Sequence, residues 1–219
     1  MSTSRARQVH LLLGAFVGAA LLLRLGLTIF APDHVAGEDP GLGTRLVRFV
    51  SYFTVESAFA VLLASLAVVR GADLETTWMR TLRLASLVGI TVTGIVYVLV
   101  LSDDPVDRST ASWIANVMLH YLAPPLTLLA WLAVGPWPGF RWADVGRILL
   151  WPVVWGSWIA LYGELSQWYP YGFVDVNTHG YGAVALNFGG IVFFAIVLGG
   201  LVTLGDRWRR RSAGATRDS

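Results

Sequence analysis

The sequence predicts an all-α integral membrane protein, a bundle of six transmembrane helices with both termini in the cytoplasm. The first observation is composition, because 55% of the 219 residues are hydrophobic and only 14% are charged. Soluble domains carry about a quarter charged residues. The second observation is the clustering of apolar residues into blocks long enough to cross a bilayer, which takes about twenty residues. The third is the uneven placement of arginine between these blocks.

Six such blocks follow one another along the chain, separated by short segments that are charged or rich in Gly and Pro. The first block follows Arg5 and Arg7, as the apolar part of a signal peptide would. It is too long for a signal peptide and has no small-residue cleavage site, so we interpret it as a span. The fifth is the least apolar, since it begins among charged residues and contains Pro152. We predict spans at residues 8–30, 46–69, 82–101, 112–134, 144–164 and 181–205.

Arginine placement predicts the topology. One set of connections has only Arg45, Arg48 and Arg108, together with seven acidic residues. The opposite side holds most of the other arginines, including five after the last span. The positive-inside rule therefore places both termini in the cytoplasm. We expect the protein to lie in the inner (cytoplasmic) membrane of the cell. We therefore expect one six-helix domain over residues 1–205 and a basic, disordered cytoplasmic tail over 206–219.

Two missing residue types exclude whole classes of chemistry. The chain has no cysteine, which rules out disulfides, thiolate catalysis and cysteine-ligated metals. It also has no lysine, since all 16 basic residues are arginine, which rules out Schiff-base chemistry. The arginines form no broad basic surface, so we expect no nucleic-acid partner.

Polar side chains recur at one depth in the predicted outer leaflet. Thr54 lies about eight residues into the second span, roughly 12 Å deep, and His120 about nine residues into the fourth, roughly 13 Å deep. Arg24 and Asn187 each lie about six residues from the outer end of their spans. Such groups are costly in lipid and usually face the bundle interior or a cavity. We expect them to line a chamber that opens toward the outer leaflet.

Helical spacing and proline support this chamber. Thr54 and Ser57 are three residues apart and can share a face, as can Asn116 and His120, which are four apart. Pro124 removes the amide that would bond the His120 carbonyl, so the helix should kink beneath the histidine. The simpler interpretations remain open: the threonine and serine could serve helix packing, and Arg24 could extend its side chain to the headgroups.

Three segments resemble a known family when they are taken in order. They are "YFTVES" at 52–57, "NVMLHYLAPPLTLLAWL" at 116–132 and "WYPYGFVDV" at 168–176. Together they resemble the androgen-induced six-helix membrane proteins of animals and a large bacterial group of six-helix proteins. The animal members are intramembrane threonine hydrolases that cleave fatty acid esters of hydroxy fatty acids.

The resemblance implies that Thr54 is the nucleophile and His120 its base. The family commonly has an asparagine three or four residues after the threonine, where this chain has Ser57 and Ala58. Another group would then stabilise the oxyanion or bind substrate, and the candidates are Asn116, Asn187, Arg24 and Ser57. The implied partner is a lipid or fatty acyl ester within the bilayer, and neither a metal nor another cofactor is implied.

Other classes of function use the same chamber differently. A non-catalytic lipid-binding protein would keep the cavity and tolerate loss of the threonine hydroxyl. A small-molecule transporter would need a polar path through the cytoplasmic halves of the spans, which are almost uniformly apolar. A b-type haem protein would need paired intramembrane histidines, and His10, His34 and His179 lie near or outside the predicted boundaries.

Overall fold

Helices dominate the part of the chain that the computed structural model describes, which is residues 3–30, 40–102 and 109–215. Within those ranges there is no β-strand. Six helical segments are long and apolar enough to cross a membrane, namely Ser4–Phe30, Phe53–Arg70, Thr77–Leu101, Thr110–Val134, Trp142–Ser166 and Val176–Ser212. The protein is a multi-pass, all-helical membrane protein, which confirms the predicted fold class at that level.

Several of these segments contain more than one helical element. The α-helices are α1 (Thr3–Phe30), α2 (Gly41–Ser51), α3 (Phe53–Arg70), α4 (Thr77–Val96), α5 (Thr110–Asn116), α6 (Ala123–Val134), α7 (Trp142–Ile148), α8 (Leu150–Ser166) and α9 (Val176–Ala215). A π-helical segment continues α4 over Tyr97–Leu101, and another joins α5 to α6 over Val117–Leu122. A short 3₁₀ turn, Gly172–Val174, precedes α9, which is itself interrupted at Gly180.

Helix ends follow from local side-chain chemistry. The Thr76 hydroxyl accepts the Met79 amide at the start of α4, and the Ser109 hydroxyl accepts the Ser112 amide at the start of α5. Helix α3 ends at Gly71, whose φ of 72° is the left-handed conformation that glycine adopts without strain.

Helix α4 is the centre of the bundle, because it contacts α3, α6, α7 and α9. Its residues contribute to two buried clusters. One cluster joins α1, α3 and α6 around side chains such as Val17, Val61 and Ile90. The other joins α4 to α7 and α9 around Leu84 and Phe140. The candidate site described below lies where the carboxyl-terminal end of α4 meets α3 and the π-helical segment before α6.

The predicted second span, 46–69, is two helices. The chain breaks at Tyr52, whose backbone is extended, so α2 ends at Ser51 and the spanning helix α3 begins at Phe53. Thr54 therefore lies in the first turn of its helix and not eight residues into it. No Gly or Pro marks this break, and Val50, Tyr52 and Phe53 are hydrophobic with only Ser51 between them.

The predicted disordered tail is helical over residues 206–215, and residues 216–219 lie outside the described ranges. The helix continues because its first tail residues pack on the connection before α7. The buried Asp206 carboxylate accepts the Phe140 amide at 3.0 Å. Arg209 lies over the Trp137 ring, 5.9 Å from its centroid, and Arg207 lies over Trp142 at 5.6 Å.

The helix around His120 departs from α-geometry where the prolines predicted a disturbance. Val117–Leu122 is π-helical and Pro124 and Pro125 follow it directly. Pro124 cannot donate to the His120 carbonyl, so the local hydrogen-bond ladder is free to widen by one residue. The result is a bulge in the helix at the level of the histidine.

Candidate active site

Thr54 and His120 meet across the bundle. The Thr54 Oγ1 atom lies 3.1 Å from His120 Nε2, which is hydrogen-bonding distance. Thr54 is buried and stands in the first turn of α3, whereas His120 stands about ten residues into Thr110–Val134, or about 15 Å along that helix. Helix α3 therefore begins at the level of His120, about 15 Å along the neighbouring helix, and α2 precedes it.

The imidazole of His120 is oriented by its own helix. Its Nδ1 atom lies 3.1 Å from the Asn116 carbonyl oxygen. Because a carbonyl oxygen only accepts, Nδ1 carries the proton of the neutral ring. The Nε2 atom is then the acceptor, and the Thr54 hydroxyl donates to it. This is the tautomer in which a histidine can remove a proton from a hydroxyl group.

Tyr97 and Asn116 hold the other face of the histidine. The Tyr97 ring stacks on the imidazole with 4.1 Å between ring centroids. The Asn116 side-chain amide donates to the Tyr97 hydroxyl at 2.7 Å. The sequence predicted that Asn116 and His120 share a helix face. In the structure the Asn116 side chain reaches the tyrosine that packs against the histidine.

Tyr171 completes the hydrogen bonding around Thr54. The Thr54 amide donates to the Tyr171 hydroxyl oxygen at 3.3 Å, and the same oxygen lies 3.4 Å from Thr54 Oγ1. Since the Thr54 proton is directed at His120, the Tyr171 hydroxyl donates to Oγ1. Burial raises the pKa of the Tyr171 phenol above its ordinary value, so the hydroxyl keeps its proton at neutral pH and remains a donor.

A polar cavity of about 270 Å³ opens beside this group. It extends from Thr54 and His120 to Arg24 and Ser112, where the Arg24 guanidinium donates to the Ser112 hydroxyl at 3.2 Å. Aromatic side chains and the connection between α8 and α9 form its remaining walls, which include Tyr52, Tyr97, Tyr169, Pro170, Tyr171 and Gly172. This volume is sufficient for a small organic group.

The connection before α9 is held against α2 by aromatic contacts. Trp168 meets the Tyr52 ring edge to face at 5.7 Å, and the Arg48 guanidinium lies over the Trp168 ring at 5.0 Å. Tyr171 also contacts Tyr52, at 5.7 Å between centroids. The segment "WYPYGFVDV" therefore forms a wall of the cavity, and its Tyr171 enters the site.

The six residues singled out from sequence are placed differently. Thr54, His120, Asn116 and Arg24 all line the polar cavity. Ser57 is buried and accepts a hydrogen bond from the Thr93 hydroxyl at 3.3 Å, away from that cavity. Asn187 is exposed on α9 and donates to the Phe173 carbonyl at 2.9 Å, so it supports the connection and does not line the cavity.

Two residues of the site were missed by sequence analysis. Tyr97 is typical of the interfacial aromatic residues that membrane proteins carry at both surfaces, and Tyr171 lies in an aromatic-rich loop that could be a lid or an interfacial loop. Tyr97 had a detectable signal, because it lies at the outer end of the third span and therefore near the predicted depth of His120. Tyr171 had only its place within the segment that resembles the hydrolase family.

The described residues contain no group of three His, Asp or Glu side chains placed to hold a metal ion. Comparison of the chain with protein-family models, with curated proteins and with solved structures finds no match.

Proposed function

We propose that this protein is an intramembrane hydrolase that cleaves a lipid ester through an acyl-threonine intermediate. The observation that carries the proposal is the chain of contacts from the Asn116 carbonyl through the His120 ring to Thr54 Oγ1, with both distances at 3.1 Å. It supplies a hydroxyl nucleophile, a base in the correct tautomer and a group that orients the base.

The first half of the reaction acylates Thr54. His120 Nε2 takes the hydroxyl proton as Oγ1 forms a bond to the ester carbonyl carbon, and the carbonyl oxygen becomes an oxyanion. When this intermediate collapses, the bond between carbon and the alcohol oxygen breaks. The leaving oxygen takes the proton from His120 Nε2, so the alcohol departs neutral and the acyl group stays on Thr54.

The second half releases the acid. His120 Nε2 removes a proton from water as the water oxygen attacks the acyl carbon. Collapse of the second intermediate breaks the bond to Oγ1, which regains a proton from His120, and the fatty acid leaves. In both halves we assign the Tyr171 hydroxyl, which lies 3.4 Å from Thr54 Oγ1, as a donor to the oxyanion, with the Thr54 amide as a second candidate.

The family, the substrate class and the membrane orientation that we propose rest on the amino-acid sequence. The resemblance to the androgen-induced six-helix hydrolases and their bacterial relatives supports membership of that family, with a fatty acid ester of a hydroxy fatty acid or a similar lipid as substrate. Arginine placement supports cytoplasmic termini, and the resemblance to the bacterial six-helix group supports a location in the inner membrane. The site would then open toward the outer leaflet, which gives a lipid ester lateral access.

Labelling of the detergent-solubilised protein with a fluorophosphonate probe tests the proposal. We expect the wild type to be labelled and both Thr54→Ala and His120→Ala to lose labelling by at least about a hundredfold. Thr91→Ala is the matched control, because Thr91 is also buried but its hydroxyl bonds the Leu87 carbonyl within α4. An unlabelled wild type, or equal labelling of all four proteins, would favour non-catalytic lipid binding.

A further inference from the structure

Thr54 lies between two cavities of opposite character. The polar cavity is on the side of His120. On the other side is an apolar cavity of about 50 Å³ that also includes Thr54 and Tyr171 in its walls. A third cavity of about 30 Å³ adjoins the second, and the two share Phe53, Val92, Pro152 and Ile191. We call these two adjoining spaces the apolar cleft.

The cleft runs along α4 between α8 and α9. Its walls include Val96 near Thr54 and Ala85 at the far end, which are about eleven residues apart and therefore separated by about 16 Å. Thr93 is a polar residue in this wall, and its hydroxyl group donates a hydrogen bond to the Ser57 hydroxyl. The Phe53 ring stacks on Trp151 with 4.6 Å between centroids and narrows the passage.

We infer that the apolar cleft binds the acyl chain of the ester and sets the chain length that the enzyme accepts, an inference that rests on the proposed function. The direction of the substrate follows from the chemistry. The leaving alcohol oxygen must receive a proton from His120, and His120 lines the polar cavity but not the cleft. The alcohol part therefore occupies the polar cavity, and the acyl part extends the opposite way.

The shape and lining of the cleft favour a hydrocarbon chain over other occupants. A peptide would bury amide groups without hydrogen-bond partners, at a cost of several kcal/mol for each. Water is poorly held in a space whose walls are mostly apolar and whose few hydroxyl groups already bond other hydroxyl groups. A single alkyl chain needs no hydrogen-bond partners, so the cleft can take the methylene groups that follow the ester carbonyl.

Two substitutions at Val92 test the inference in opposite directions. Val92→Phe should fill the cleft and lower the ratio of kcat/KM for p-nitrophenyl palmitate over p-nitrophenyl butyrate about tenfold. Val92→Ala should enlarge the cleft and raise the ratio of kcat/KM for esters of long or branched acids over that for p-nitrophenyl butyrate. Val154→Phe is the matched control, because Val154 lies on α8 with its side chain exposed, and its ratio should stay at the wild-type value.

A second readout does not depend on turnover. A diazirine-bearing palmitic acid, photolysed with Thr54→Ala protein, should label peptides of α4 and α9 that contain Val92 or Ile191, and Val92→Phe should reduce that labelling. Esterase activity without Thr54 dependence, with cleft labelling intact, would overturn the proposed function alone. The inference about the cleft would be overturned if both Val92 variants kept the wild-type ratio of kcat/KM for the palmitate over the butyrate ester. Labelling confined to exposed positions of α8 and α9 would also overturn it.

Discussion

Tyr171 shows how one side chain from a distant segment changes the chemistry of Thr54. Its oxygen lies within 3.4 Å of both the amide and the hydroxyl of that threonine, although 117 positions separate the two residues. Removal of the phenol hydroxyl should leave the ring contacts with Tyr52 and Phe173 in place. The hydroxyl therefore contributes a hydrogen bond that can be tested separately from packing.

We expect Tyr171→Phe to lower kcat about a hundredfold, because loss of one oxyanion donor typically costs that much. Esterase kinetics with a soluble chromogenic ester measure the effect, and thermal unfolding in detergent checks the fold. Tyr162→Phe is the control, since Tyr162 stacks on Trp158 outside the polar cavity. Equal kcat in wild type and Tyr171→Phe would remove the tyrosine from the mechanism.

The raised pKa of Tyr171 predicts how this donor responds to pH. A phenol whose folded-state pKa is raised keeps its proton above the ordinary tyrosine pKa of about 10. The hydroxyl is therefore still a donor at pH 10, and the ratio of wild-type to Tyr171→Phe activity should be the same at pH 8 and pH 10. A ratio that collapses toward one by pH 10 would show that the phenol ionises earlier.

Among the helices, the contact between α4 and the proline-containing helix decides where His120 points. A Cβ atom added to Gly94 would lie 2.6 Å from Pro124 Cγ and 3.1 Å from the His120 carbonyl oxygen. Only a residue without a side chain permits this approach. The prolines, the π-helical segment and Gly94 therefore act together to bring the histidine toward Thr54.

We expect Gly94→Ala to separate these helices, lower the free energy of unfolding by about 1–3 kcal/mol and reduce fluorophosphonate labelling. Gly26→Ala on α1 is the matched control, because nothing lies within 4 Å of its added Cβ. That change should be neutral or slightly stabilising, since alanine is the better helix former. Wild-type labelling of Gly94→Ala would show that the close approach does not position His120.

Helix α8 is attached to the site by its tryptophans. The Trp155 indole donates to the Ser51 carbonyl and the Trp158 indole to the Ser51 hydroxyl, both at 2.9 Å. Trp151 donates to the Glu56 carboxylate. The spacing of these tryptophans by four and three residues is typical of helix packing or of an interfacial belt. The structure shows that they also bond the residues on either side of the break between α2 and α3.

At the scale of the whole molecule, buried ion pairs around Asp144 stabilise the bundle at the end opposite the site. Asp144 is fully buried at the start of α7 and pairs with Arg80 of α4 at 2.9 Å and with Arg147 at 2.6 Å. It also accepts the Arg141 amide at 2.9 Å. Helix α4 is thereby held at one end by this ion pair and at the other by its packing on Pro124.

Asp144→Asn should destabilise the protein by about 3 kcal/mol, because it leaves the buried Arg80 without its counter-charge. Glu75→Gln should cost less than about 1 kcal/mol, because the Glu75–Arg210 pair is exposed at the surface. Thermal or denaturant unfolding in detergent compares the two variants. A similar loss of unfolding free energy in both variants would mean that water reaches Arg80 and that the buried pair stabilises the protein no more than the exposed one.

The proposed orientation can be tested by chemical labelling, since the chain has no cysteine of its own. Single cysteines at Ser166, at the end of α8, and at Ser212, in the last turns of α9, should lie on opposite sides of the membrane. A membrane-impermeant maleimide applied to intact cells should label Ser166→Cys and spare Ser212→Cys. The reverse pattern would invert the topology and place the site in the cytoplasmic leaflet.

The sequence by itself determined the number of spanning segments, because the transfer of apolar side chains into lipid depends on composition and length. It also placed Thr54 and His120 at a similar depth among other polar groups that are costly in lipid, and the resemblance to the six-helix hydrolases singled them out as a pair. It did not predict the break at Tyr52, because Val50 and Phe53 on either side are hydrophobic and neither Gly nor Pro marks a helix end there.

Only the tertiary structure decided which polar groups meet. Asn187 and Asn116 looked equivalent by depth, yet one supports the connection before α9 and the other holds Tyr97 against the histidine. Tyr171 entered the site from a segment that was ambiguous in sequence. Depth along a helix is set by chain length, whereas rotation about the helix axis and the order of helices depend on packing between segments far apart in sequence.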